Sequence, residues 1–94
     1  MKYLIQGGES SKRIALLLSL TRIDSKAIRE ALEDHYVLGV QDIVAVARHS
    51  VDRGNFTRAQ KRLENVAATV EQIKELDWAK FIASGISQRL KDRM

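Results

Sequence analysis

Residues 40–66 place the strongest constraint on the fold, because they indicate a helix, a tight turn and a second helix. Apolar and small residues at helical spacing predict the first helix at about 41–49. The turn is predicted at Asp52-Arg53-Gly54, since glycine adopts a positive φ without a Cβ clash. Asn55 is a suitable N-cap for the second helix. This order is typical of a helix-turn-helix that presents its second helix to DNA.

The second helix of this pair separates apolar from polar residues. Phe56, Ala59 and Leu63 recur at spacings of three and four residues and are predicted to face the core. The polar side or its edges are left with Arg53, Thr57, Arg58, Lys61 and Arg62. A residue in the turn, Val51, is predicted to fill the apolar space between the two helices.

Charge supports a nucleic-acid site on this helix. Residues 48–62 include five basic residues and one acidic residue, an excess of +4 that equals the formal net charge of the whole chain. The rest of the protein is therefore neutral on balance, and one locally basic helix favours a binding site over general basicity. The alternative is that these side chains only solvate an amphipathic helix.

The residues predicted to contact DNA are Arg53, Asn55, Thr57, Arg58, Lys61 and Arg62. The four basic side chains are predicted to bind phosphates, which gives affinity and salt dependence but no sequence choice. The two neutral residues would add backbone or base contacts. Two alternatives stay open: Asn55 can serve only as a helix cap, and Arg62 can pair with a carboxylate such as Glu64.

Composition limits the class of protein. Ninety-four residues fit one domain, 1–94, and a helical chain of this size often gains stability by dimerising. The sequence has no cysteine, which excludes disulfides, cysteine zinc sites and thiol chemistry, and no proline, which suits a helical chain. It has no apolar run of about 20 residues and no signal-peptide pattern at its start. We therefore expect a soluble, cytoplasmic protein.

The periodicity predicts an all-α fold, a small domain of about five helices, with residues 1–6 as a short strand or arm. The helices before the central pair are predicted from Ser10 or Ser11 to about Leu20, and from Asp24 or Ser25 to about Leu38. The helix after the turn is predicted to run for about 20 residues. A fifth helix is predicted to begin with Asp77 as its cap.

Enzymatic function is not expected. The chain has no glycine-rich phosphate loop and no thiol, and its two histidines, His35 and His49, fall on separate predicted helices. A core or surface role is the expected one for both histidines, rather than metal binding. We predict no catalytic residue, no cofactor and no metal.

Two stretches, LLLSLTRIDSKAIREALEDHYVLG and VDRGNFTRAQKRL, resemble the PapB/FaeB family of fimbrial adhesin-operon transcription regulators. The resemblance covers residues 16–63. In the turn, Gly54 and Phe56 match the family pattern, and Arg62-Leu63 closes it. The predicted helix after Asp77 lies outside the resemblance.

The resemblance implies a bacterial regulator that binds AT-rich DNA near fimbrial promoters and assembles on it as dimers or larger oligomers. It also implies an association with minor-groove readout. The sequence departs from the family at the start of the first motif helix, which is basic in the family but is Gln41-Asp42-Ile43 here. Asp42 would repel phosphate if it faced DNA, or it would be favourable at a helix N-terminus.

A protein-interaction adaptor is the alternative from another functional class. In that case the apolar seam of residues 66–73 and the stripe of Trp78, Phe81 and Ile82 would bind a partner protein. The first helix also has leucines on more than one side, at positions 16–18 and 20, which predicts that it is either central to the core or partly covered by another subunit.

Overall fold

The computed structural model describes residues 3–92, and the side chains of residues 3–84. This part of the chain is all-helical, as predicted, and has no β-strand. Its elements are α1 (Ser11–Ser19), α2 (Lys26–Tyr36), α3 (Asp42–Arg48) and α4 (Arg53–Asp92). Residues 3–10 form an arm without regular structure.

Serine caps fix the starts of the first two helices. The Ser10 hydroxyl accepts the Arg13 N–H at 3.0 Å, and the Ser25 hydroxyl accepts the Ile28 N–H at 3.4 Å. In each case the side chain satisfies a backbone donor that has no partner within the helix. Of the alternatives that the sequence left open, Ser10 and Ser25 are the caps.

Two glycines hold the arm against the end of α2. Gly7 and Gly39 have φ values of +70° and +78°, which residues other than glycine rarely adopt. A Cβ on Gly7 would lie 3.0 Å from the Cα of Gly39, so the two backbones also need the space. The Gly7 N–H donates to the His35 carbonyl at 3.2 Å, and the Glu9 N–H donates to the Tyr36 carbonyl at 3.1 Å.

The N-terminal half of α4 is the centre of the core. Phe56, Ala59, Leu63 and Ala67 are buried at spacings of three and four residues, and α1, α2 and α3 all contact this helix. The inward face predicted for the first three of these residues is confirmed. Each large apolar side chain buried here contributes about 1.5–3 kcal/mol.

The carboxylate of Glu64 connects the arm, α2 and α4. One oxygen accepts the Tyr3 N–H at 2.8 Å, and the other accepts the Tyr36 hydroxyl at 3.4 Å. Burial, together with the charge of Glu64, raises the pKa of Tyr36 far above its usual range. The tyrosine therefore stays a neutral hydrogen-bond donor to Glu64 throughout the physiological pH range.

The prediction of a separate fifth helix is wrong, because α4 runs from Arg53 to Asp92 without interruption. Asp77 is an exposed residue within α4, where no chain reversal frees a backbone N–H for it to cap. Between residues 55 and 84 α4 contains neither glycine nor proline that would stop it. The described molecule is consequently elongated, 64 × 22 × 22 Å.

Beyond residue 73, α4 leaves the small bundle and exposes large apolar side chains. Leu76, Trp78 and Phe81 are each more than 60% exposed. Trp78 and Phe81 stack with their ring centroids 5.8 Å apart. Although α4 is long, no described helix combines the length and apolar character needed to cross a membrane.

We expect Leu63→Ala to lower the free energy of unfolding by about 2–5 kcal/mol, because it removes a fully buried side chain and leaves a cavity. Leu76→Ala is the matched control on the same helix, where the side chain is exposed, and should cost no more than about 0.5 kcal/mol. Urea unfolding followed by circular dichroism measures both. Equal effects for the two variants would contradict the placement of the core.

Glu64→Ala should destabilise the protein by about 1–3 kcal/mol, because two partly buried donors lose their acceptor. Tyr36→Phe removes only one of the two hydrogen bonds and should cost less. The control is Glu75→Ala, an exposed carboxylate on the same helix. Chemical unfolding gives the free energies, and amide exchange of the Tyr3 N–H reports on the arm. A Glu64→Ala protein as stable as the control would refute this role.

Candidate nucleic-acid interface

Residues 49–52 connect α3 to α4, and the turn is built differently from the prediction. The residue with positive φ is Ser50 at +53°, whereas Gly54 is helical. Asp52 is the N-cap of α4, because its Oδ2 accepts the Asn55 N–H and its carbonyl accepts the Phe56 N–H, each at 2.9 Å. The predicted positive φ at Gly54 and the predicted cap at Asn55 are therefore wrong.

The carboxylate of Asp52 explains why the turn lies earlier in the chain than predicted. Asp52 precedes Asn55 and combines a hydrogen-bond acceptor with a negative charge, which the N-terminus of a helix favours. Val51 is half-buried and packs against the core, as predicted, and its N–H donates to the Val46 carbonyl at 3.1 Å. The lack of a side chain at Gly54 instead leaves space for Asp52 and Arg58. A Cβ at residue 54 would lie 3.1 Å from the Asp52 carboxylate and 3.5 Å from the Arg58 guanidinium.

Asp42, the acidic residue at the start of α3, has two partners. Its Oδ1 accepts the Ile43 N–H at 2.8 Å, which places the charge at a helix N-terminus. Its Oδ2 pairs with the Arg53 guanidinium at 3.3 Å. Arg53 is thus directed towards α3, and the structure does not bring it together with the other basic residues predicted on α4.

The basic C-terminal end of α3 is also neutralised. Arg48 pairs with Asp34 of α2 at 3.3 Å. His49 Nε2 lies 2.7 Å from the same carboxylate, and His49 Nδ1 lies 3.5 Å from Glu30. Two of the five basic residues between positions 48 and 62 are therefore held by acids of this chain.

The other three of these five basic residues are Arg58, Lys61 and Arg62, and all three lie on α4. All three are exposed, and none forms an ion pair with a carboxylate within the described part of the chain. The alternative in which Arg62 pairs with Glu64 is not observed, since Glu64 is bound to Tyr3 and Tyr36.

The predicted neutral residues lie on the same helix turns. Thr57 is exposed one turn before Lys61, and Asn55 accepts a hydrogen bond from the Arg58 guanidinium. Asn55, Arg58 and Arg62 line one cleft, on the side of α4 that faces the connection between α1 and α2. The structure therefore brings together five of the six predicted residues on the first turns of α4.

Arg22 joins this group from outside α4 and was missed by sequence reasoning. It lies in the connection between α1 and α2, is exposed and lines the same cleft as Arg58 and Arg62. Its position in a loop carries no periodic signal, so only the packing of the connection against α4 shows that it belongs there.

The histidines have structural partners. His35 Nδ1 lies 2.8 Å from the Val40 carbonyl, and its ring contacts Tyr36 and Phe56 edge to face. The described residues contain no cluster of three or more histidine or acidic side chains arranged to hold a metal ion. What the interface offers chemically is exposed cationic and amide groups, which suit phosphate and base-edge binding.

Comparison with known proteins agrees with the resemblance noted in the sequence. Residues 1–76 match the family described as adhesin biosynthesis transcription regulatory protein, PapB. The AFA-III adhesin operon regulatory protein of Escherichia coli is 33% identical over 70 residues, which cover 74% of this chain and 69% of that protein. The F1845 adhesin operon regulatory protein of the same species is 34% identical over 58 residues, covering 62% and 68%.

The fold also matches a solved structure. The crystal structure of E. coli FocB superposes with a TM-score of 0.72 at 22% identity, covering 78% of this chain and 83% of that one. The shared architecture is helical. The family consists of transcription regulators and not of enzymes. The extent of the family match confirms the resemblance, and the chain belongs to the PapB family of adhesin biosynthesis transcription regulatory proteins.

Proposed function

We propose that this protein regulates an adhesin operon of the fimbrial type by binding double-stranded, AT-rich promoter DNA through a helix-turn-helix formed by α3 and α4. The observation that carries the proposal is the set of three basic side chains, Arg58, Lys61 and Arg62, which are exposed on α4 and form no ion pair with any side chain of residues 3–84. The names of the relatives, which are adhesin operon regulatory proteins, support the target.

The predicted residues take different roles in this proposal. Arg58, Lys61 and Arg62 bind phosphates, and Asn55 and Thr57 add contacts to the backbone or to bases. Arg53 takes part only by exchanging Asp42 for a phosphate. Such an exchange is inexpensive, because an exposed ion pair contributes about 0–1 kcal/mol. The preference for AT-rich DNA follows from the family resemblance, and minor-groove readout is compatible with it.

Arg58→Ala combined with Lys61→Ala should abolish DNA binding at physiological salt, because two phosphate contacts are lost. The salt dependence of any residual binding should fall by about two units in the slope of log K against log salt. The matched control is Lys12→Ala combined with Arg29→Ala, which removes the same two residue types from exposed positions on α1 and α2. Fluorescence anisotropy with a labelled AT-rich duplex measures both.

Circular dichroism and sedimentation should show unchanged helicity and oligomer size in each double variant. Unchanged DNA affinity in Arg58→Ala/Lys61→Ala would contradict the assignment of the interface. An equal loss of DNA affinity in the control would mean that the effect comes from net charge alone and not from these two positions.

We further propose that the protein acts as a homo-oligomer. Leu16 of α1 and Leu20, the C-cap of that helix, are more than half exposed, as expected from the excess of leucine there. Leu20 lines a groove together with Val66, Val70 and Ile73 of α4. A continuous apolar surface is therefore open to solvent between the C-terminal end of α1 and α4. Exposed apolar patches of this kind mark interaction surfaces in soluble proteins.

Leu20→Ser combined with Ile73→Ser should shift the protein to a monomer of 10.6 kDa in sedimentation at micromolar concentration. The matched control is Leu38→Ser combined with Ile5→Ser, an equally exposed leucine and isoleucine away from this groove. The control should sediment as the wild type does. A wild-type protein that is already monomeric at this concentration would contradict the oligomer.

An adaptor without DNA binding is the second candidate function. The stacked and exposed pair of Trp78 and Phe81 favours it, because aromatic side chains are enriched at protein interfaces. The pair lies beyond residue 76, where the family match ends. If the protein is an adaptor, the wild type should bind no duplex even at low salt. This outcome distinguishes the adaptor from the regulator.

A further inference from the structure

We propose that the cleft between α4 and the connection joining α1 to α2 is a phosphodiester-binding site, in which Arg22 holds a DNA backbone phosphate together with Arg58 and Arg62. The inference rests on the proposed DNA binding and extends it. It places one contact outside the helix-turn-helix, on a residue that neither the sequence pattern nor the comparisons assign to DNA.

The cleft has a volume of about 200 Å³ and is open to solvent. Arg22, Asp24 and Ser25 line it from the connection and the start of α2, and Arg58 and Arg62 line it from α4. Its apolar walls include Ile23 and Ala59, which belong to the buried core. Several water-sized groups fit in this space, and so does a phosphate.

The distribution of ion pairs distinguishes this cleft from the rest of the surface. Seven arginines fall within residues 3–84. Arg13, Arg48 and Arg53 each pair with a carboxylate of the chain. Of the four arginines without such a pair in the described residues, three line this cleft. The fourth, Arg29, lies elsewhere on α2.

The cleft is therefore electropositive. Three arginines line it together with one carboxylate, Asp24, so the net charge of the lining is positive and attracts an anion. Guanidinium groups bind phosphate oxygens in pairs, which gives both strength and geometry. Because the cleft opens beside Ser25, the N-cap of α2, the partial positive charge of that helix end adds to the attraction.

The backbone around Arg22 is held in place. The Thr21 hydroxyl donates to the Leu18 carbonyl at 2.7 Å and accepts the Ile23 N–H at 3.2 Å. Ile23 on the other side is buried in the core. Arg22 thus projects from an ordered connection, and only its side chain has to be fixed when a phosphate binds, which lowers the entropic cost of the contact.

A phosphate contact from Arg22 orients the protein on the duplex but does not read bases. Its loss should weaken binding to every sequence by a similar factor. The preference between AT-rich and GC-rich DNA should stay the same. This behaviour distinguishes the cleft from a site that contacts base edges.

The test is Arg22→Ala in the full chain, titrated by fluorescence anisotropy against labelled AT-rich and GC-rich duplexes over a series of salt concentrations. We expect about tenfold weaker binding to both duplexes and a salt slope reduced by about one. Arg22→Lys should retain the salt slope but bind more weakly than wild type, because the charge stays and the paired hydrogen bonds are lost. Arg29→Ala, which removes an exposed arginine outside the cleft, should bind as wild type.

The outcomes separate this inference from the proposed function. If Arg22→Ala binds as Arg29→Ala does, while Arg58→Ala/Lys61→Ala fails to bind, the cleft proposal is overturned and the DNA-binding proposal stands. A wild-type protein that binds neither duplex at low salt overturns both. Thermal unfolding of Arg22→Ala should match wild type, since the side chain is exposed, and a lower melting temperature with equally reduced binding at all salts would overturn the phosphate contact.

Discussion

Burial of the apolar side of α4 is the interaction on which the rest of the structure depends. Phe56 and Leu63 are almost completely inaccessible, and the three shorter helices are arranged around them. Isolated helices as short as α1 and α3 are not stable in water, so their folding depends on this contact. The same packing turns the opposite side of α4 to solvent, and that side carries Arg58, Lys61 and Arg62. The fold and the proposed interface thus have one physical origin.

Acidic residues decide which of the basic side chains stay available. Asp34 and Asp42 hold Arg48 and Arg53 on the α3 side of the molecule, while the cleft beside Arg58 and Arg62 is lined by one carboxylate of the described residues, Asp24. An excess of four charges in the sequence becomes, in three dimensions, a smaller group of cations on one exposed side. Intramolecular pairs of this kind contribute little stability, but in the proposed interface they leave Arg58, Lys61 and Arg62 to bind phosphate.

The sequence was informative where local periodicity governs structure. The inward positions Phe56, Ala59 and Leu63, the all-helical class and the short helix before α4 follow from spacing alone. The turn was misplaced because Asp52 and Gly54 each suit several positions in a helix start, and only tertiary packing selects one. The absence of a break at Asp77 could not be foreseen, since an aspartate caps a helix only where the chain enters it. The position of Arg22 beside Arg58 and Arg62 could not be predicted from the sequence, because a loop residue acquires its neighbours only on folding.

The central claim is that this family member binds DNA through the exposed basic side of α4. The most direct test is the anisotropy of wild-type protein titrated onto an AT-rich and a GC-rich duplex, each at two salt concentrations. We predict salt-sensitive binding that is tighter for the AT-rich duplex. Salt-sensitive binding without preference would contradict the AT-rich part of the claim alone. No binding to either duplex at low salt would contradict the claim itself.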